Sequence, residues 1–496
     1  MPDRRDLALL LRSRIPLILV ETRDERAALR QLSDYVIGGR AADHMPLFRW
    51  TVTDGLQRVD IDLAPQAINA EPADVLGHIR AVSKPGIYAL LDFHPYLKDP
   101  VHVRQLKDIC LDFMESGGKL VMISPSLKLP PELKHLSASF EMAVPDVARR
   151  EEIVREVATQ WRSGNSGERV KTDPHAFDLL VQNLAGLGDV DVRRLAHNAI
   201  ADDGVICQED IRGVMQAKYR LLNREGMLSY EYETAHFGDV AGMRALKQWL
   251  SQRRSAFLGK AKRAGLDAPR GVVLLGVQGC GKSLAAKATA GAFGTPLLRL
   301  EFGALFNKWQ GETERNLREA LSIAETMAPV VLWIDELEKG LSPGEDNTGT
   351  SQRVLGEFLT WMAERPPGVF VVATANDIDR LPPELVRKGR FDEIFFVDLP
   401  SEDVRREIIG IHLKRRDVPP GAVDVSAVAA GTDGFSGAEL EQLIVGSLFA
   451  ADAANTPVET THLVEEAART RPLSVVMAER IAGLRQWAAS RTVPAD

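Results

Sequence analysis

Residues 276–283 read Gly276-Val277-Gln278-Gly279-Cys280-Gly281-Lys282-Ser283, a pattern whose residue types suit one task. Glycines at 276, 279 and 281 let the backbone curl so that its N–H groups converge on phosphate oxygens, and a following helix adds its positive end. Lys282 is predicted to reach the β- and γ-phosphates and Ser283 to ligate Mg²⁺, with Val277, Gln278, Cys280 and Leu284 completing the contact surface for ATP. Cys280 reads as a small side chain that fits the loop, a redox switch being the rival reading. Farther on, Val330 to Ile334 is an apolar run ending in Asp335-Glu336. Such a run describes a buried parallel strand that delivers acids at its C-terminal edge, where ligands bind in open α/β sheets. Asp335 is expected to hold Mg²⁺ through water and Glu336 to polarise the attacking water. A further strand, Val369 to Ala375, brings Asn376 to the same edge, where its amide orients the water or senses the γ-phosphate.

These residues need a frame. Gly271 to Leu275 reads as the strand before the phosphate loop, Leu284 to Phe293 as the helix after it, Pro296 to Leu300 as a second strand and Glu312 to Met327 as an amphipathic helix. The chain has 496 residues with 45% hydrophobic and 26% charged side chains, ordinary values for globular domains with sizeable cores. Lys and Arg number 61 against 69 Asp and Glu, a net charge of −8, so the broad basic field of a nucleic-acid binder is missing. The cluster Lys260, Lys262, Arg263 reads as a solvated face. Three distant cysteines, Cys110, Cys207 and Cys280, have neither pairing nor zinc spacing and suit a reducing cytosol. Arg12 and Arg14 interrupt what would have to be a signal core, and no apolar run has bilayer length, so the expectation is a cytoplasmic protein without membrane anchoring.

After the Asn376 strand comes Leu381-Pro382-Pro383-Glu384-Leu385-Val386-Arg387-Lys388-Gly389-Arg390-Phe391-Asp392. Together with the phosphate loop and the acid pair, this stretch resembles the classical AAA ATPase family from Phe237 to about Phe449. Phe237-Gly238-Asp239-Val240-Ala241-Gly242 is similar to that family's opening segment beside the adenine, and Gly434 to Leu440 to its lid signature, with Ala438 and no arginine of its own. The resemblance implies nucleotide contacts from Asp239, Val240 and Gly242. It also implies that Arg387 and Arg390 reach a neighbouring subunit's nucleotide, since guanidinium groups stabilise charge dispersed over a transferring phosphoryl group. A homo-oligomer, a hexamer in the family, follows from that. Phe306 to Glu312 falls where the family carries its first pore loop, so Lys308 and Trp309 are expected to face a channel and grip an extended polypeptide.

The first half echoes the second. Val121 to Leu133 parallels Val371 to Leu385 with two residues fewer; Pro145 and Arg150 to Ile153 parallel Pro400 and Arg405 to Ile408; Asn183 to Ile200 is similar to the lid stretch near Ala430. Residues 1–225 therefore read as a degenerate, nucleotide-incompetent AAA-like domain. The strand Ile15 to Val20 runs into Glu21-Thr22-Arg23-Asp24-Glu25 where glycines and a lysine are needed, and Ala89 to Asp92 is followed by Phe93 where a glutamate is needed. The two-part plan, with Thr470 to Ser474 before a closing helix to about Arg491, resembles the hypothetical chloroplast reading-frame AAA proteins of bacteria, cyanobacteria and algal plastids. The segment Asp202 to Glu233, with Lys218 to Leu222 helical, joins the halves.

The fold expected is α/β: a P-loop AAA+ module, with a parallel sheet flanked by helices (226–400) and a helical lid with a C-terminal helix (401–496), preceded by the degenerate AAA-like α/β domain. The activity expected is Mg²⁺-dependent ATP hydrolysis by an oligomer that remodels a protein client through a central pore. A regulatory assembly switch without threading is the alternative, and a DNA-associated motor, lacking basic loops, a weaker one.

Overall fold

The computed structural model describes residues 2–496 except 23, 39–44, 60–67, 83–84, 166–167, 169, 224–225, 233–236, 262, 264, 302–311, 342–349, 378–383 and 386–388. Arg387, Lys308 and Trp309 thus lie outside the described residues. The chain divides into two units, Met1–Val170 with Leu184–Gly204, and Lys171–Asn183 with Val205–Asp496.

The first unit contains β1 (Leu17–Glu21), β2 (Leu47–Thr51), β3 (Gly55–Arg58), β4 (Ile87–Leu91), β5 (Lys119–Ser124) and β6 (Ser137–Phe140), with apolar runs in the central strands β1, β4 and β5. They make one sheet in the order β3-β2-β4-β5-β1-β6, parallel except for the β2–β3 pair. Both faces must be covered, because the central strands are buried on both sides. Helices α1 (Pro2–Arg12) and α2 (Glu25–Gly38) seal one face, setting Leu7, Leu11, Ala28 and Leu32 against Ile18, Val20, Ala89 and Val121. Helices α3 (Pro72–Ala81) and α4 (Pro100–Ser116) seal the other through Leu76, Ile79, Leu106 and Phe113. Next come α5 (Val147–Gly164) and α6 (Asp189–Ile200), joined by Arg149 to Asp189 at 3.0 Å.

From residue 208 onward the second unit has α7 (Gln208–Leu222), containing the expected helical turn, and β7 (Leu228–Glu231), an edge strand within the joining segment. After α8 (Arg244–Phe257) come β8 (Gly271–Gly276), α9 (Lys282–Phe293), β9 (Leu297–Glu301), α10 (Glu312–Thr326), β10 (Val330–Asp335), α11 (Thr350–Glu364), β11 (Val369–Ala375) and β12 (Glu393–Val397). The helices α12 (Glu402–Arg415), α13 (Val425–Gly431), α14 (Gly437–Ala453) and α15 (Thr460–Arg469) share a small core of their own around Ile409, Leu440 and Leu463, the helical lid. Helix α16 (Ala478–Ala488) ends earlier than the expected Arg491, because the chain turns there into β13 (Val493–Pro494), which pairs with β12. The sheet order is β13-β12-β8-β11-β10-β9-β7, with α8 and α9 on one face and α10 and α11 on the other.

Without β13, this order is that of the first sheet, strand for strand: β12, β8, β11, β10, β9, β7 answer β6, β1, β5, β4, β2, β3. Two buried arginines repeat as well. Arg150 donates to the Pro145 carbonyl at 2.6 Å and Arg405 to the Pro400 carbonyl at 3.0 Å, each five residues upstream. The register corrects one sequence-level match. Arg49 pairs with Ala89 and Arg299 with Trp333, and Ala89 and Trp333 both face the helix that follows the first strand of their sheet. Leu91 then answers Asp335, and Asp92 answers Glu336; both Asp92 and Glu336 have positive φ, +50° and +48°. Phe93 is not in the glutamate's place, and the acid missing from the first sheet is the one that answers Asp335. Sequence comparison missed this because a one-residue slip swaps every side chain between faces without changing hydrophobicity.

Candidate functional site

The phosphate loop spans Gly276 to Gly281 between β8 and α9. Gly276 has no room for a side chain: a Cβ there would lie 2.0 Å from the Val397 carbonyl of the neighbouring strand. Gly281 precedes α9 with φ +88°, a left-handed turn that glycine adopts without steric cost, and so the first turn of α9 is presented to the cavity. Lys282 Nζ folds back onto the carbonyls of Gly276 and Val277, both at 2.8 Å. Burial lowers its pKa to about 8. Burial also pushes the Cys280 thiol up to about 12, which suppresses the thiolate and speaks against a redox switch.

Strands β10 and β11 deliver the acids and amide. Asp335 Oδ1 accepts from Thr374 Oγ1 at 2.7 Å and Oδ2 from Arg299 at 2.8 Å. Glu336 receives Asn376 Nδ2 at 3.5 Å, a long contact, and pairs with Lys339 at 2.5 Å, while its N–H donates to Thr374 Oγ1 at 3.1 Å. Glu338, buried, accepts from the Asn376 N–H at 3.0 Å, and desolvation raises its pKa.

Lys282, Cys280, Asp335, Glu336, Thr374 and Asn376 line one cavity of about 480 Å³. Of the sequence-predicted residues, Asp239, Val240, Gln278, Gly279, Cys280, Gly281, Lys282, Ser283, Leu284, Asp335, Glu336 and Asn376 line it. Gly242, Gly276 and Val277 are not among the lining residues, Gly242 donating to Glu407 at 3.0 Å and Val277 to the Val397 carbonyl at 3.0 Å. Arg390 is not among the lining residues; its guanidinium donates to the Glu384 carbonyl. The lid closes the cavity with groups that sequence reasoning missed: Ile408, Ile411, His412 and Arg415 of α12 and Glu441 of α14. Their spacing of three to four is one helix face and was a readable signal. His412 lies 3.5 Å from Glu441, and burial lowers its pKa. The lid also touches the phosphate loop directly, the Ala438 N–H donating to the Gly279 carbonyl at 3.0 Å. That N–H belongs to the start of α14, which is fixed by reciprocal hydrogen bonds between Ser436 and Glu439.

The donor set fits a nucleotide with Mg²⁺. Hydroxyl and carboxylate oxygens are the hard ligands Mg²⁺ takes, and a glycine cradle beside a buried ammonium matches phosphate.

Comparison with known proteins agrees with this geometry. Residues 272–399 match the ATPase family associated with various cellular activities (AAA), residues 3–142 the N-terminal domain of SpoVK-like AAA ATPases, and residues 148–225 their second domain. Fold and site thus define an AAA ATPase, an enzyme that hydrolyses ATP. The AAA domain-containing protein ycf46 of Trieres chinensis is 32% identical over 98% of this chain and 96% of its own, and that of Guillardia theta 33% identical over 98% and 95%. The chain belongs to this ycf46 family of AAA proteins. A proteasome-activating nucleotidase of Aeropyrum pernix is 40% identical over 37% of this chain and 46% of its own.

Proposed function

We propose that this chain is the subunit of a homo-oligomeric, hexameric ATPase that uses Mg²⁺ and ATP to remodel a protein client through a central pore. The observation that carries the chemical part is the convergence of Lys282, Ser283, Asp335, Glu336 and Asn376 on one cavity walled by core and lid. Asp239 and Val240 line the same cavity and are assigned to the base, together with Gly242 near them in sequence. Lys282 exchanges its two carbonyl partners for phosphate oxygens, and the N–H groups of residues 278–284 take up the remaining phosphate charge. Ser283 and Asp335 would hold Mg²⁺, which when bound neutralises phosphate charge. Glu336 accepts a proton from water that Asn376 orients, after Lys339 releases the carboxylate. Helix α14 rests on the phosphate loop, so a change in phosphate occupancy moves the lid. The threading part is supported by relatedness to a nucleotidase that activates the proteasome; it assigns the channel to Lys308 and Trp309 and the trans-acting guanidiniums to Arg387 and Arg390.

Residues 1–225 are proposed as the degenerate partner domain. Between β1 and α2 the Asp24 carboxylate accepts from the Ala27 N–H at 2.9 Å, an anion already seated at the helix start. Leu91 stands where a metal acid is required.

The test uses the full chain. Glu336→Gln should bind one ATP per chain, with turnover reduced about 10²-fold or more, the loss expected for a general base. Lys282→Ala should bind none, because Glu21 to Glu25 stand where the first unit would need the glycines and lysine of a phosphate loop. Wild-type turnover in Glu336→Gln rejects the base; ATP binding by Lys282→Ala rejects the single-site reading.

A further inference from the structure

Arg299 sits beside Asp335 without any role in the reading above. It stands on β9 opposite Trp333 of β10, so its side chain shares a sheet face with Asp335, two residues along. One guanidinium nitrogen donates to Asp335 Oδ2 at 2.8 Å and another meets Glu301 at 3.1 Å, while the guanidinium carbon lies 4.7 Å from the Trp333 ring centroid. The third nitrogen, Nε, is buried without an acceptor among the described residues. A planar donor held at three points is a placed cation, not a solvated one. With Thr374 on Oδ1, both oxygens of Asp335 are already engaged by protein groups. Arg49, which answers Arg299 in the first sheet, has no such carboxylate to meet and pairs with Asp54 and Gln57 instead.

We propose that Arg299 is a positioning residue that competes with Mg²⁺ for Asp335: it aims and neutralises the carboxylate in the metal-free site and thereby sets the Mg²⁺ concentration at which ATP is held for hydrolysis. The inference rests on Asp335 being the Mg²⁺-side acid. Its logic is electrostatic. A permanent cation on one oxygen lowers the carboxylate's attraction for a divalent cation's hydration shell, so removing that charge tightens metal-coupled binding, and about tenfold corresponds to 1.4 kcal/mol.

The experiment measures ATP affinity by calorimetry against free Mg²⁺, in full-length protein carrying Glu336→Gln so that nucleotide survives. Adding Arg299→Gln should leave ATP affinity in excess chelator within about twofold while lowering the half-saturating Mg²⁺ about tenfold. Arg299→Lys, which keeps the charge and loses the planar fork, should lower it less, by about threefold, and serves if Arg299→Gln does not fold. An unchanged or raised half-saturating Mg²⁺ in the folded variant overturns the proposal; a purely structural role would move affinity with and without Mg²⁺ alike. Asp335→Asn in the same background should raise the Mg²⁺ requirement. If it does not, the assignment of Asp335 fails, and the role of Arg299 with it.

Discussion

Lys282 carries its charge deep in the cavity wall with two main-chain carbonyls for company, and burial holds its pKa at about 8. In the unfolded chain the same amine titrates near its ordinary value of 10.5. Between about pH 8 and 10.5 the unfolded state therefore binds more protons, so this group's destabilising effect is complete below pH 8 and fades as pH rises through that window. Phosphate at the site reverses the shift, since an adjacent anion favours the ammonium. ATP binding should accordingly take up protons increasingly from pH 7.5 to 9, read by calorimetry in buffers of different ionisation enthalpy, and affinity should weaken over that range. Constant uptake would mean Lys282 stays charged in the empty site. The loop, the acid pair and Asn376 were legible because each is a residue type at a strand end. Thr374 and Arg299 were not, because their importance lies in what they touch across strands, which no linear spacing records.

At the scale of elements, β1, β8, β9, β10, β11 and the helix after the phosphate loop could be read from apolar runs and punctuation, whereas β7 and β13 could not: two or four residues at a sheet edge leave no periodicity to detect. One buried side chain ties the lid's first two helices together. Arg405, 5% exposed, donates from Nε to the Ala429 carbonyl of α13 at 3.1 Å and from Nη1 to the Pro400 carbonyl at 3.0 Å. Its ion pair with Asp433 adds little, as that carboxylate is 92% exposed. Arg405→Met should strand both carbonyls and cost about 2–4 kcal/mol, lowering the thermal midpoint by several degrees. Asp433→Ala should be nearly silent. Equal melting of Arg405→Met and wild type would show that water replaces the guanidinium.

For the whole molecule, the decisive question is whether a single chain is a complete enzyme. Arg390 does not line its own chain's cavity, so Arg390→Ala should bind ATP normally and hydrolyse it poorly. Mixing it with Glu336→Gln should partly restore turnover, because some interfaces then combine one subunit's Glu336 with its neighbour's Arg390. Verified mixed assemblies without rescue would place Arg390 outside the reaction. The duplicated plan was visible in sequence through Pro145 and Arg150 against Pro400 and Arg405, yet the strand register that tells Asp92 from Leu91 was not. That register gives the left-handed turn a meaning beyond catalysis. Asp92 keeps the turn of Glu336 although the sequence after its first strand lacks the phosphate-loop glycines and lysine, so an unfavourable backbone angle, at about 1 kcal/mol or more, recurs without that loop. The turn belongs to the architecture, a corner the chain rounds in both units where this strand leaves its sheet, and the glutamate makes use of it in the second.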